Sequence, residues 1–135
     1  MSIIVLHNGH LNVNRNPDAG LQGETGAAGE LDWIIRFQDL LQAKLEKAGH
    51  QVKRTDGSGP NQDFTGDLFL ADHYDGGPAD SSYCMAAHAA ADTTQAESER
   101  LLNCFLSIYP AAVKIPLRQD LVTENMTRYY GFTYE

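Results

Sequence analysis

His10, Glu30 and His73 have side-chain types that together can hold a catalytic metal. Two imidazoles and one carboxylate make a three-ligand zinc set with the fourth position open. Imidazole is available neutral, and carboxylate ionised, near neutral pH. Each residue also has a plainer reading. A histidine just past a strand can be a surface or hydrogen-bonded residue. A glutamate at a helix head complements the helix dipole.

The elements around these residues decide whether they can meet. Residues 2–7 are a short β-branched and aliphatic run that predicts a buried strand, bounded by Asn8-Gly9. Residues 8–29 are rich in Gly and Asn without hydrophobic period, and a loop of that length in a small domain is usually functional or mobile. Over 30–48 the residues Leu31, Ile34, Ile35, Leu41, Leu45 and Ala48 fall at helical spacing, and Gly49 is the stop. Strands are expected over 50–55 and 67–71, with turn-rich chain over 56–66 and 74–82. Further short strands are expected at 83–87 and 115–117. A second helix is expected over 94–109, with Leu101, Leu102, Phe105 and Ile108 on its buried face and Pro110 stopping it.

Strand–helix–strand alternation predicts a single α/β domain with a mostly parallel twisted sheet and helices on both faces. In such a sheet the carboxyl ends of the strands share one edge, where sites form. His10 follows the first strand, His73 follows the 67–71 strand, and Glu30 opens the helix that leaves the same edge. Residues far apart in sequence can therefore converge.

Composition narrows the function classes. The chain has 135 residues, 10 Lys+Arg against 18 Asp+Glu, and a net charge of −8. It lacks a basic run, which argues against nucleic-acid binding through phosphates and against binding to anionic membranes. Its apolar runs are too short for a membrane span. Gly9-His10-Leu11 does not continue into a dinucleotide-binding turn. Met1-Ser2-Ile3-Ile4-Val5-Leu6 lacks the basic start of a secretory signal, so synthesis in the cytoplasm is expected. Cys84 and Cys104 are expected to be reduced core thiols.

Several of these segments resemble a known family. Ile3-Ile4-Val5-Leu6-His7-Asn8-Gly9-His10 is similar to the opening strand and Gly-His pair of the zinc-dependent N-acetylmuramoyl-L-alanine amidases of the amidase-3 type. Pro17-Asp18-Ala19-Gly20 resembles the turn that follows. The family places a zinc-binding Glu at the head of a long helix with a Lys-Ala-Gly-like stop. Counting back from Lys47-Ala48-Gly49 puts that residue at Glu30, with Glu24 as its rival. Asp67-Leu68-Phe69-Leu70-Ala71-Asp72-His73-Tyr74 resembles the family's Asp-Leu-Phe-Ile-Ser-Ile-His-Ala strand, which makes His73 the second imidazole ligand. Pro116-Leu117-Arg118 and the stretch from Asn125 to Phe132 resemble a segment of phage and prophage members.

The resemblance implies a phosphorylase/hydrolase-like α/β fold and a Zn2+ cofactor held by His10, Glu30 and His73. The substrate would be peptidoglycan. The reaction would be hydrolysis of the amide between N-acetylmuramic acid and L-alanine, by a lysin acting on the cell wall after release. The family's catalytic Glu stands in a late strand before a Gly-Phe pair. Here Gly131-Phe132 precedes Glu135, so Glu135 is not read as that residue, and a C-terminal part of the domain is expected to be missing. The alternatives are a fold member that binds muropeptide or a partner chain without turnover, and a metal-free α/β domain.

The other candidates read as follows. His7, inside the strand, is expected to be packed or hydrogen-bonded. Asn8 is a turn residue or a substrate hydrogen-bonder. Asp72 and Asp75 are solvated loop carboxylates, or orient the imidazole between them. His50 and His88 are surface or edge residues. Tyr129 and Tyr130 are core aromatics or line a glycan groove. Trp33 is expected to pack against the sheet.

Overall fold

Ile3-Ile4-Val5-Leu6 forms the middle of the sheet because both its faces are apolar and both its edges find partners. The computed structural model describes residues 1–8, 30–56, 63–73, 82–90 and 95–128, with only the backbone of Glu30, Leu31 and Asp56. The elements are β1 (Ile3–Asn8), α1 (Glu30–Lys47), β2 (Gln51–Asp56), β3 (Leu68–Asp72), α2 (Gln95–Val113) and α3 (Glu124–Thr127), with a 3-10 turn at Gln119–Leu121. The chain divides after Gly77 into two compact units, which are described separately.

The first unit is a parallel sheet of order β2-β1-β3 with α1 packed on it. The expected α/β class and parallel sheet are what the structure has. Ile4, Val5 and Leu6 are buried, as is Ile34 of α1. Side chains alternate along a strand, so Ile4, Leu6 and Asn8 share one face, and Val5 and His7 the other. Arg54 stands opposite Leu6 and donates to Asp39 (3.0 Å) and Gln42 (3.3 Å), which puts α1 on the Leu6 face. On the other face the chain at Gly66 comes so close that an added Cβ would sit 2.9 Å from Val5 Cγ2 and 3.0 Å from the Ile3 carbonyl.

α1 ends where the sequence predicts. Gly49 has φ +89°, and its N–H donates to the Glu46 carbonyl at 2.9 Å while His50 N–H donates to Leu45 at 3.0 Å. Those two bonds are the Schellman pattern, which needs a left-handed residue between them. The turn delivers Gln51 to the amino edge of the sheet, where its N–H donates to the Ser2 carbonyl at 2.9 Å. α1 therefore runs from the carboxyl edge toward the amino edge.

In the second unit several expectations are corrected. The strands expected at 83–87 and 115–117 reduce to one parallel bridge, Cys84–Leu117. Around it the Gln119 carboxamide pairs with the Ala86 backbone, accepting at 2.9 Å and donating at 2.8 Å, and this takes the place of a strand ladder. Pro110 does not stop α2. It removes one N–H, but a last turn follows, closed by Lys114 at φ 56° and an Ile115 N–H bond to the Pro110 carbonyl at 3.2 Å. No described residue of α2 is buried: Leu101 and Phe105 are exposed and Ile108 more so. Cys104 is likewise exposed on this helix, not in a core, while Cys84 is half-buried; neither is in a disulfide. Among the described residues no helix is long and apolar enough to cross a membrane.

Candidate functional site

The three parallel strands end together. Asn8 is in register with Asp56 of β2 and with Asp72 of β3, so the last residues of all three lie in a row at the carboxyl edge. His73 follows directly and is exposed. Glu30 is the first residue of α1, as expected; its side chain lies outside the described residues, as do His10, Glu24, Asp75, Tyr129, Tyr130 and Glu135. Among the described residues no group of three His, Cys, Asp or Glu side chains is placed to hold a metal. Of the expected ligand set, His73 is the member whose side chain is described.

Beneath this edge lie two polar arrangements, one on each face of the sheet. On the face away from α1, His7 has no exposed surface, and its Nδ1 is 2.9 Å from the Thr55 hydroxyl. Its ring packs on Phe69 at 5.5 Å and on Phe64 at 5.5 Å. Burial, reinforced by the charge of His73, pushes the His7 imidazole down to about 4, so the ring is neutral at neutral pH. His7 is a packed core histidine.

On the α1 face, Gln38 is fully buried. Its Nε2 donates to the His7 carbonyl and to Asp72 Oδ2, each at 3.0 Å. Asp72 is therefore not a solvated loop carboxylate. It is the last residue of β3, faces the helix, and burial pushes it up to about 6 against the Gln38 bond and the Arg54 charge. Asn8 shares this face and is 1% exposed. Its carboxamide oxygen and nitrogen have no hydrogen-bond partner among the described residues.

Buried polar atoms left unbonded cost roughly 1–3 kcal/mol each, and an apolar group of the same shape removes the penalty. Asn8→Leu is expected to unfold at a denaturant midpoint equal to or above that of the wild type. A lower midpoint would show that the carboxamide has partners in solution.

Gln38 and Thr55 escaped the sequence reading. The signal for Gln38 was present: it interrupts an otherwise apolar helical row of Ile34, Leu41 and Leu45. Trp33 corrects in the other direction. It is 46% exposed and stacks on Phe37 at 5.3 Å instead of packing on the sheet, because it lies a quarter-turn off the buried row. His50 and His88 are half-buried; His88 Nδ1 lies 2.8 Å from the Ala89 carbonyl. No family model, curated protein or solved structure matches this chain.

Proposed function

We propose that this chain is a zinc-dependent N-acetylmuramoyl-L-alanine amidase domain, acting on peptidoglycan in cell-wall lysis or remodelling. The observation that supports it most is the register of β1 and β3. Adjacent parallel strands pair Asn8 with Asp72, so β1 and β3 end side by side, shortly before His10 and His73 in the sequence. His73 is one residue beyond that pair and His10 two residues beyond, a span of ~7 Å at most. Glu30 heads α1, whose first turn lies beyond that edge, about 12 Å along the axis from Gln38 at the strand ends. The donor set, two imidazoles and one carboxylate, is one that zinc accepts.

When bound, zinc supplies Lewis-acid polarisation of the scissile carbonyl and a nucleophile at neutral pH. The chain's own part is placement. His73 and His10 would offer imidazole nitrogen donors, and Glu30 a carboxylate oxygen that would offset part of the metal's charge. Behind the edge the buried ring of His7 packs against Phe64 and Phe69.

Purified peptidoglycan incubated with the zinc-loaded chain is expected to release new L-alanine amino termini, and a chelator should stop the release. One equivalent of zinc with no released termini would instead mark a chain that binds muropeptide without turnover. Absence of both would end the amidase reading.

A further inference from the structure

We propose that the row of Leu101, Phe105 and Ile108 on α2 is a docking surface for a second copy of this chain, with the two α2 helices packed antiparallel about a two-fold axis at Phe105. Such a dimer involves the second unit alone and does not depend on the amidase reading.

α2 carries two rows at helical spacing, one residue apart. Ser98, Leu102, Leu106 and Tyr109 are half-buried, so theirs is the row the fold already covers. Leu101, Phe105 and Ile108 stand about 100° further around the helix. All three are exposed, Ile108 at 66%. Residues 101–113 hold no charged side chain. The solvent face of a helix is normally polar, so an apolar row within an uncharged stretch is a face that gains by being covered. The Phe105 ring stacks on Tyr109 at 4.7 Å, with 18° between the planes. A ring held in this way loses little freedom on association.

The charges at the two ends of the row select the occupant. Glu97 continues the row one turn toward the amino end, and exposed Lys114 follows the last turn. Glu97 is eight residues before Phe105 and Lys114 nine after it; Leu101 is four before and Ile108 three after. The charged pair and the apolar pair therefore share one centre. A two-fold axis there sets Leu101 of one copy against Ile108 of the other, Phe105 against its counterpart, and Glu97 against Lys114, with each unlike contact made twice. A parallel pair would instead set like charges together. Glu97 holds Arg100 of its own helix through Oε2 at 2.8 Å, which leaves Oε1 for the lysine. Antiparallel order also opposes the two helix dipoles favourably.

The test is sedimentation equilibrium of the full chain from ~5 to ~500 µM, the weak range that suits an interface below standard size. The wild type is expected to approach twice the monomer mass across that range. Phe105→Glu sets two carboxylates against each other on the axis. It is expected to raise the dissociation constant at least ~30-fold, as loss of a central aromatic anchor does. Ile108→Glu, at the most exposed position of the row, serves if that variant fails to fold. Glu97→Lys and Lys114→Glu should each weaken association roughly 3- to 10-fold at low salt, and the two together should restore it. A dimer that Phe105→Glu or Ile108→Glu leaves intact overturns the proposal, and so does a double charge reversal no tighter than the single ones. A wild type that stays at monomer mass overturns it too. If Phe105→Glu then lowers the denaturant midpoint of that monomer, the row belongs to the chain's own core.

Discussion

His73→Ala is expected to abolish stoichiometric zinc uptake, while Glu24→Ala retains one equivalent. A zinc binding free energy of ~10–16 kcal/mol shared over three ligands assigns each roughly 3–5 kcal/mol. Loss of one imidazole then weakens binding by at least ~100-fold. His73 is exposed at the end of β3, so its removal leaves the core intact, and the effect falls on the metal and not on the fold. Metal analysis after gel filtration reads the first effect. Melting reads the second: a ligand bound only by the folded state stabilises it by ~2.7 kcal/mol at a free concentration a hundred times Kd. Chelation should therefore lower the melting temperature of the wild type and leave that of His73→Ala unchanged. Equal zinc retention by the two variants would refute the ligand assignment.

The second large effect concerns pH. His7 is held down to about 4 from 6.5, so the folded state binds fewer protons than the unfolded state between those values, and stability is lost as pH falls from 6.5 toward 4. Asp72 is pushed up from 3.8 to about 6, so the folded state there holds an extra proton, and stability is lost as pH rises from 4 toward 6. The two groups sit on opposite faces of neighbouring strands and their contributions oppose each other over the same window. Metal-free wild type is expected to show nearly constant unfolding free energy from pH 4 to 6. Asp72→Asn keeps an acceptor for Gln38 and removes one of the opposing groups. Its stability should fall on acidification with a slope approaching about 1.4 kcal/mol per pH unit. His7→Gln should slope the other way. A flat profile in Asp72→Asn would show that neither group behaves as its burial dictates.

Much of the first unit was readable from residue order. The strand at β1 follows from four consecutive β-branched and aliphatic residues, and α1 from its apolar period and Gly49. β3 follows from a short apolar run between aspartates. The row of strand ends at Asn8, Asp56 and Asp72 follows from parallel order once the strands are known. The burial of Gln38 was not readable in the same way, because a polar residue in an apolar row is also what a helix near solvent looks like. Its bonds depend on where β3 ends, and that is tertiary information. α2 shows the converse. Leu101, Phe105 and Ile108 have the spacing of a buried stripe yet remain exposed. Periodicity records that a face can be covered, not that it is. Asp72 was misread because a carboxylate at a strand's last position is solvated or enclosed according to the helix that crosses it.

Strand order has a consequence for how the polypeptide survives its own synthesis. β1 is made before β2 and β3 but stands between them, and one of its edge contacts, Ile3 N–H to Asp67 Oδ2 at 2.7 Å, spans 64 residues. Until that later stretch has left the ribosome, a β-branched segment has a bare backbone edge, open to pairing with another nascent chain. The loop-closure entropy of so distant a contact slows its burial further. Premature termination before Asp67 therefore yields a fragment in which β1 has lost its β3 partner, and chaperone demand falls in the interval between the synthesis of β1 and that of β3.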